Sequence, residues 1–86
     1  MGWNTIELIK SDGLFKDIAE GSFVYFVHSL YPVPSDQTIV ATKTEYGSTF
    51  TSSIENGNIY GTQFHPEKSG DVGLKILGNF AKIMKR

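Results

Sequence analysis

Cysteine is absent from all 86 positions. That excludes disulfides and thiolate metal sites within this polypeptide, and equally a cysteine nucleophile of its own. An excess of one charge is also lacking: eight Lys and Arg stand against nine Asp and Glu, for a net −1. Such a balance gives no electrostatic case for nucleic acid or an anionic membrane as partner. Long hydrophobic runs are missing too, since the longest, Phe23 to Val27, is far too short to span a bilayer. Met1-Gly2-Trp3-Asn4 shows none of the basic-then-apolar pattern of a signal peptide, so the expected compartment is the cytoplasm. There is no internal repeat and no low-complexity stretch. What remains is 40% hydrophobic and 20% charged, a globular composition at the length of one small domain.

Along the chain, Trp3 to Ile9 alternates as a half-buried strand does, with Ile6 and Leu8 separated by Glu7. Ser11-Asp12-Gly13 signals a turn, and Leu14 to Ala19 suits a short helical turn. Ser22 to Leu30 is rich in aromatic and β-branched residues and continuously apolar in its middle, which predicts a strand buried on both faces. Pro32 and Pro34 remove two backbone donors and make a loop there. Thr38 to Thr44 is strand-like, Glu45-Tyr46-Gly47 turns the chain, and Phe50, Ser52 and Ile54 alternate in a further strand. Asn56-Gly57 predicts a type I′ hairpin returning through Ile59 to His65. Beyond Gly70 the period becomes helical, with Ile76, Leu77, Phe80, Ile83 and Met84 on one stripe that needs a sheet to cover. Ser69 or Asp71 is placed to cap that helix, and Lys82, Lys85 and Arg86 suit its negative end. Hairpin-connected strands followed by one helix is the expected order.

The segment Gly61-Thr62-Gln63-Phe64-His65-Pro66-Glu67-Lys68-Ser69 carries chemistry. A histidine takes and returns protons near neutrality, provided a carboxylate holds its far nitrogen in one tautomer. Residues two apart in extended chain share a side, as His65 and Glu67 do, and Pro66 pushes His65 toward extended backbone. By spacing alone, a solvated carboxylate at a strand end is the blander account. His28, inside an apolar strand, reads as a hydrogen-bonded structural histidine, and a metal site built from it and His65 lacks a third ligand.

The same nine residues closely resemble the histidine–glutamate motif of class I glutamine amidotransferases. Met1-Gly2-Trp3-Asn4 and Tyr25-Phe26-Val27-His28-Ser29 are similar to segments of one branch, the glutaminase subunits of imidazole glycerol phosphate synthases. The resemblance covers essentially the whole chain. It implies the C-terminal part of a flavodoxin-like, three-layer α/β fold: a single partial domain over 1–86, with a mixed, largely antiparallel sheet and a C-terminal helix. It implies that His65 serves as base and then acid while Glu67 orients it, completing a triad with a cysteine that attacks the amide of glutamine and releases ammonia. Ser29 and Leu30 would offer backbone groups to glutamine, although Leu30 stands where the family commonly has tyrosine. Met1, Trp3, Asn4, Tyr25 and Lys68 would lie toward a cyclase partner, a βα-barrel that consumes the ammonia. Trp3 and Tyr25 also read as core aromatics, and Lys68 as a solvated charge. No cofactor and no metal is implied.

The family's Gly-x-Cys-x-Gly elbow and its glycine-rich oxyanion strand have no match here. Thioester chemistry needs a thiolate, so the polypeptide is expected to be inactive alone. Removing the rest of such a sheet leaves an open edge and an uncovered apolar face, so a homo-oligomer, or a rearranged packing of the C-terminal helix, is expected. Three readings follow: a shortened or dissected enzyme, one half of a split enzyme, or a non-catalytic binding module. The methionine opening the Met-Gly-Trp-Asn segment favours shortening.

Overall fold

The computed structural model describes residues 2–26 and 34–84. Six strands precede one helix: β1 (Gly2–Thr5), β2 (Glu7–Leu8), β3 (Phe23–Phe26), β4 (Val40–Tyr46), β5 (Ser48–Asn56), β6 (Ile59–Thr62) and α1 (Gly70–Met84). β1 and β3 form a two-stranded sheet, and the other strands form a second in the order β2-β4-β5-β6. Every ladder between these strands is antiparallel. A bridge from Phe26 to Phe64 joins β3 to the segment leaving β6. This is the α/β class expected from the sequence, with antiparallel sheets and one C-terminal helix.

The strand expected over Trp3 to Ile9 is divided between the two sheets. Ile6 is the point of division: its side chain is buried, its N–H donates to the carbonyl of Ser22 (3.0 Å), and its carbonyl accepts from Gly21 (3.0 Å). Beyond it, the amides of Ile9 (2.8 Å) and Lys10 (2.9 Å) both donate to the carbonyl of Ala41. Ala41 offers that carbonyl because the β4–β5 register shifts around it. The hydroxyl of Thr42 ties the irregularity together by bonding those of Ser52 (2.8 Å) and Ser53 (2.5 Å).

Several expectations need correction. β3 is not buried on both faces within the described residues. Val24 and Phe26 point into the core, whereas Phe23 is 58% exposed and Tyr25 half-buried, so the apolar run alternates after all. Residues 27–30 of that run, His28 among them, lie outside the described residues. The hairpin loop is Gly57-Asn58, flanked by the Asn56–Ile59 pair, and only Gly57 has positive φ (62°). That matches a type II′ turn, in which glycine takes the first central position, rather than type I′. Thr38 begins not in a strand but in a 3₁₀ turn over Gln37–Ile39, where the Asp36 carboxylate accepts from the amide (3.0 Å) and hydroxyl (2.5 Å) of Thr38.

The core is built around Phe26, whose ring meets those of Phe50 (5.7 Å) and Phe64 (5.8 Å) edge to face. Leu14, Phe15 and Ile18 enter it from the turn after β2, which is irregular rather than helical: Asp17 sits at φ 63°. From α1, Ile76 reaches the core, Phe80 meets Tyr60 edge to face (5.9 Å), and the Asn79 amide donates to the carbonyls of Leu14 and Lys16 (both 2.9 Å). Leu77, Phe80 and Met84, expected on the buried stripe, remain exposed.

Candidate functional site

His65 lies just past β6, where the chain still runs extended (φ −100°, ψ 101°), and Pro66 opens a 3₁₀ turn over Pro66–Lys68. Proline suits the first position of such a turn because its missing N–H had no partner to find. The turn curls Glu67 back, so that Glu67 Oε2 lies 2.9 Å from His65 Nδ1. The two side chains are thus brought together by the turn, not by the alternation of an extended strand. His65 is 32% and Glu67 58% exposed at the side chain.

A carboxylate on Nδ1 fixes the ring's proton at that atom in the neutral imidazole, which places the basic lone pair on Nε2. The hydrogen bond from His65 holds the Glu67 carboxyl below the ordinary glutamate range, with smaller help from its own backbone amide and from Lys68. What the arrangement offers chemically is one oriented acid–base group.

The turn is fastened to β3. His65 N–H donates to the carbonyl of Tyr25 (2.8 Å), and Tyr25 N–H donates to Ser69 Oγ (2.9 Å). Ser69 Oγ in turn donates to the His65 carbonyl (2.6 Å). Sequence reasoning offered Ser69 only as a helix cap, but its buried hydroxyl is engaged away from α1. Its one sequence signal was a small hydroxyl residue four places after the histidine. Gly70, at φ 63°, then reverses the chain into α1. Gly73 packs so closely that a Cβ there would stand 1.8 Å from the Pro66 carbonyl oxygen.

Of the expected partner-facing residues, Trp3 and Tyr25 are opposite one another in the β1–β3 register and meet edge to face at 5.5 Å. With Phe23 they occupy the outer face of this two-stranded sheet; Trp3, 55% exposed, is not a core residue. Asn4 Nδ2 donates to the Glu45 carbonyl (3.0 Å), while its Oδ1 accepts from Thr5 N–H (2.8 Å). Lys68 is exposed on the histidine's own turn. Met1, Ser29 and Leu30 lie outside the described residues.

An antiparallel sheet edge presenting a histidine held by a glutamate two places on, backed by a C-terminal helix, defines a class. Residues 1–84 match the family Glutamine amidotransferase class-I, and the chain belongs to that family. Within it, the chain is similar to proteins named imidazole glycerol phosphate synthase subunit HisH. It is 50% identical over 86 residues to that of Archaeoglobus fulgidus, matching 100% of this chain and 43% of the relative. It is 49% identical over 84 residues to that of Methanocaldococcus jannaschii, matching 98% and 42%. For that of Methanosarcina acetivorans the identity is 53% over 85 residues, covering 96% and 42%. The chain therefore spans about two fifths of the length of these relatives.

Proposed function

We propose that this chain carries the acid–base half of a glutaminase site, the subunit that supplies ammonia for imidazole glycerol phosphate synthesis. The observation that carries the reading is the 2.9 Å contact between His65 Nδ1 and Glu67 Oε2. It is supported by the family match and by the names of the relatives.

The chemistry follows from the tautomer. A thiol, supplied by polypeptide beyond these residues, gives its proton to His65 Nε2. The thiolate adds to the side-chain amide carbon of glutamine, and the imidazolium returns the proton to nitrogen as the C–N bond breaks and ammonia leaves. Water, deprotonated by the same imidazole, then cleaves the thioester to glutamate and regenerates the thiol. Glu67 stabilises the imidazolium that forms transiently. Ser29 and Leu30 are proposed to hold glutamine through their backbone groups. The outer face of Trp3 and Tyr25, with Met1, Asn4 and Lys68, is proposed to meet a cyclase that consumes the ammonia.

Without a thiol the polypeptide alone is inactive in this reading, and its exposed apolar side chains favour self-association in a cytoplasmic setting. The test is glutamine-dependent ammonia release after mixing the chain with a polypeptide that carries the Gly-x-Cys-x-Gly elbow. Each component alone should be silent and the mixture active, with His65→Ala lowering the rate by about 10²–10⁴-fold. A mixture equally active with His65→Ala would sink the reading.

A further inference from the structure

In an antiparallel ladder, residues facing each other as a hydrogen-bonded pair exchange two bonds, each donating its N–H to the other's carbonyl. The bridge between Phe26 and Phe64 sets a register in which the next pair is Tyr25 with His65. One of that pair's two bonds is direct, from His65 N–H to the Tyr25 carbonyl at 2.8 Å. The other is interrupted. Tyr25 N–H donates to Ser69 Oγ (2.9 Å), and Ser69 Oγ donates to the His65 carbonyl (2.6 Å). A hydroxyl, which donates and accepts at one atom, is spliced into the ladder at its last rung. Ser69 is only 2% exposed, so these bonds do not compete with solvent.

Lengthening one bond of the pair while keeping the other splays the two segments on the carbonyl side only. His65 therefore leaves the edge of β3 at an angle that an uninterrupted pair would not give. An inserted residue re-aims a side chain at a β-bulge in the same way. The His65 carbonyl also accepts from Lys68 N–H (3.0 Å), so the spliced hydroxyl and the 3₁₀ turn act on one peptide group.

We infer that Ser69 is a positioning residue, whose hydroxyl, inserted between Tyr25 N–H and the His65 carbonyl, aims the His65 ring and so sets its contact with Glu67. Its meaning for catalysis rests on the function proposed above; its effect on the ring does not. Nuclear magnetic resonance on the 86-residue chain separates the two. The Glu67 carboxyl is titrated, and exchange of the Tyr25 amide is followed, in the wild type, Ser69→Ala and Ser69→Thr. In Ser69→Ala the Glu67 midpoint should rise toward that of an ordinary glutamate, and the Tyr25 amide should exchange faster, on the order of tenfold. Ser69→Thr should restore both. Should alanine prevent folding, Ser69→Cys fills the site with a far weaker donor and acceptor and should shift both quantities in the same direction. Faster Tyr25 exchange with an unmoved Glu67 midpoint would make Ser69 a structural residue only and overturn the inference. A wild-type Glu67 that already titrates as an ordinary glutamate would overturn the His65–Glu67 reading itself, a failure visible before any variant is made.

Discussion

Glu67 and Glu55 are displaced in opposite directions by their surroundings. Glu67 is held low, chiefly by the hydrogen bond from His65. Its contribution to stability is therefore present at neutral pH and is lost as pH falls through its folded-state value. His65→Ala should return the Glu67 midpoint upward, as carboxyl titration would show. Glu55 is held high, chiefly because burial penalises its charge; one of its oxygens, Oε2, is buried without a hydrogen-bond partner. The sign is reversed for a raised acid: its stabilising contribution is present at low pH and lost as pH rises through the folded-state value. Glu55→Gln should thus leave the chain as stable or more stable at pH 7 and remove the loss of stability that Glu55 contributes as pH rises through its folded-state value, read by denaturant unfolding at several pH values. The His-Pro-Glu segment was legible in the sequence because its chemistry is local. Ser69 was not, because the ladder it enters exists only once β3 lies beside the turn.

At the scale of elements, the passage from turn to helix depends on two glycines with different reasons. Gly70 has room for a side chain but sits at φ 63°, so Gly70→Ala should cost about 1–2 kcal/mol by backbone strain alone. Gly73 has an ordinary helical backbone but no room, its Cβ direction being filled by the Pro66 carbonyl. Gly73→Ala should cost about 1–3 kcal/mol or more by overpacking, and it should disturb the His65 turn as well. Thermal unfolding of both variants, with the Glu67 titration as a local probe, distinguishes the causes: only Gly73→Ala should move Glu67. The succession of hairpin-connected strands and the C-terminal helix were readable from periodicity. Where Trp3 to Ile9 divides was not, since a switch between sheets leaves alternation undisturbed. The two-sided burial expected of β3 failed for a related reason: an apolar run records the residues, not what covers each face.

For the whole molecule, the radius of gyration is 11.9 Å, close to the value of about 12 Å for a compact domain of this length. The exposed apolar side chains are therefore not the result of loose packing. Trp3 and Phe23 lie on the outer face of the two-stranded sheet, and Leu74, Leu77, Phe80 and Met84 lie along α1. The chain spans about two fifths of the length of the relatives it matches. Light scattering should accordingly report association that increases with concentration. Substituting Leu74 and Leu77 with lysine should weaken it without lowering the unfolding temperature by more than a few degrees, because both are surface positions.

The account turns on the carboxylate of Glu67 choosing the tautomer of His65. Nitrogen-15 shifts of the His65 ring, recorded at about pH 9 where a histidine is neutral, read this directly. We predict a proton on Nδ1 and a lone pair on Nε2, with the share protonated on Nδ1 falling in Glu67→Ala. A ring protonated mainly on Nε2 in the wild type, unchanged by that substitution, would contradict it.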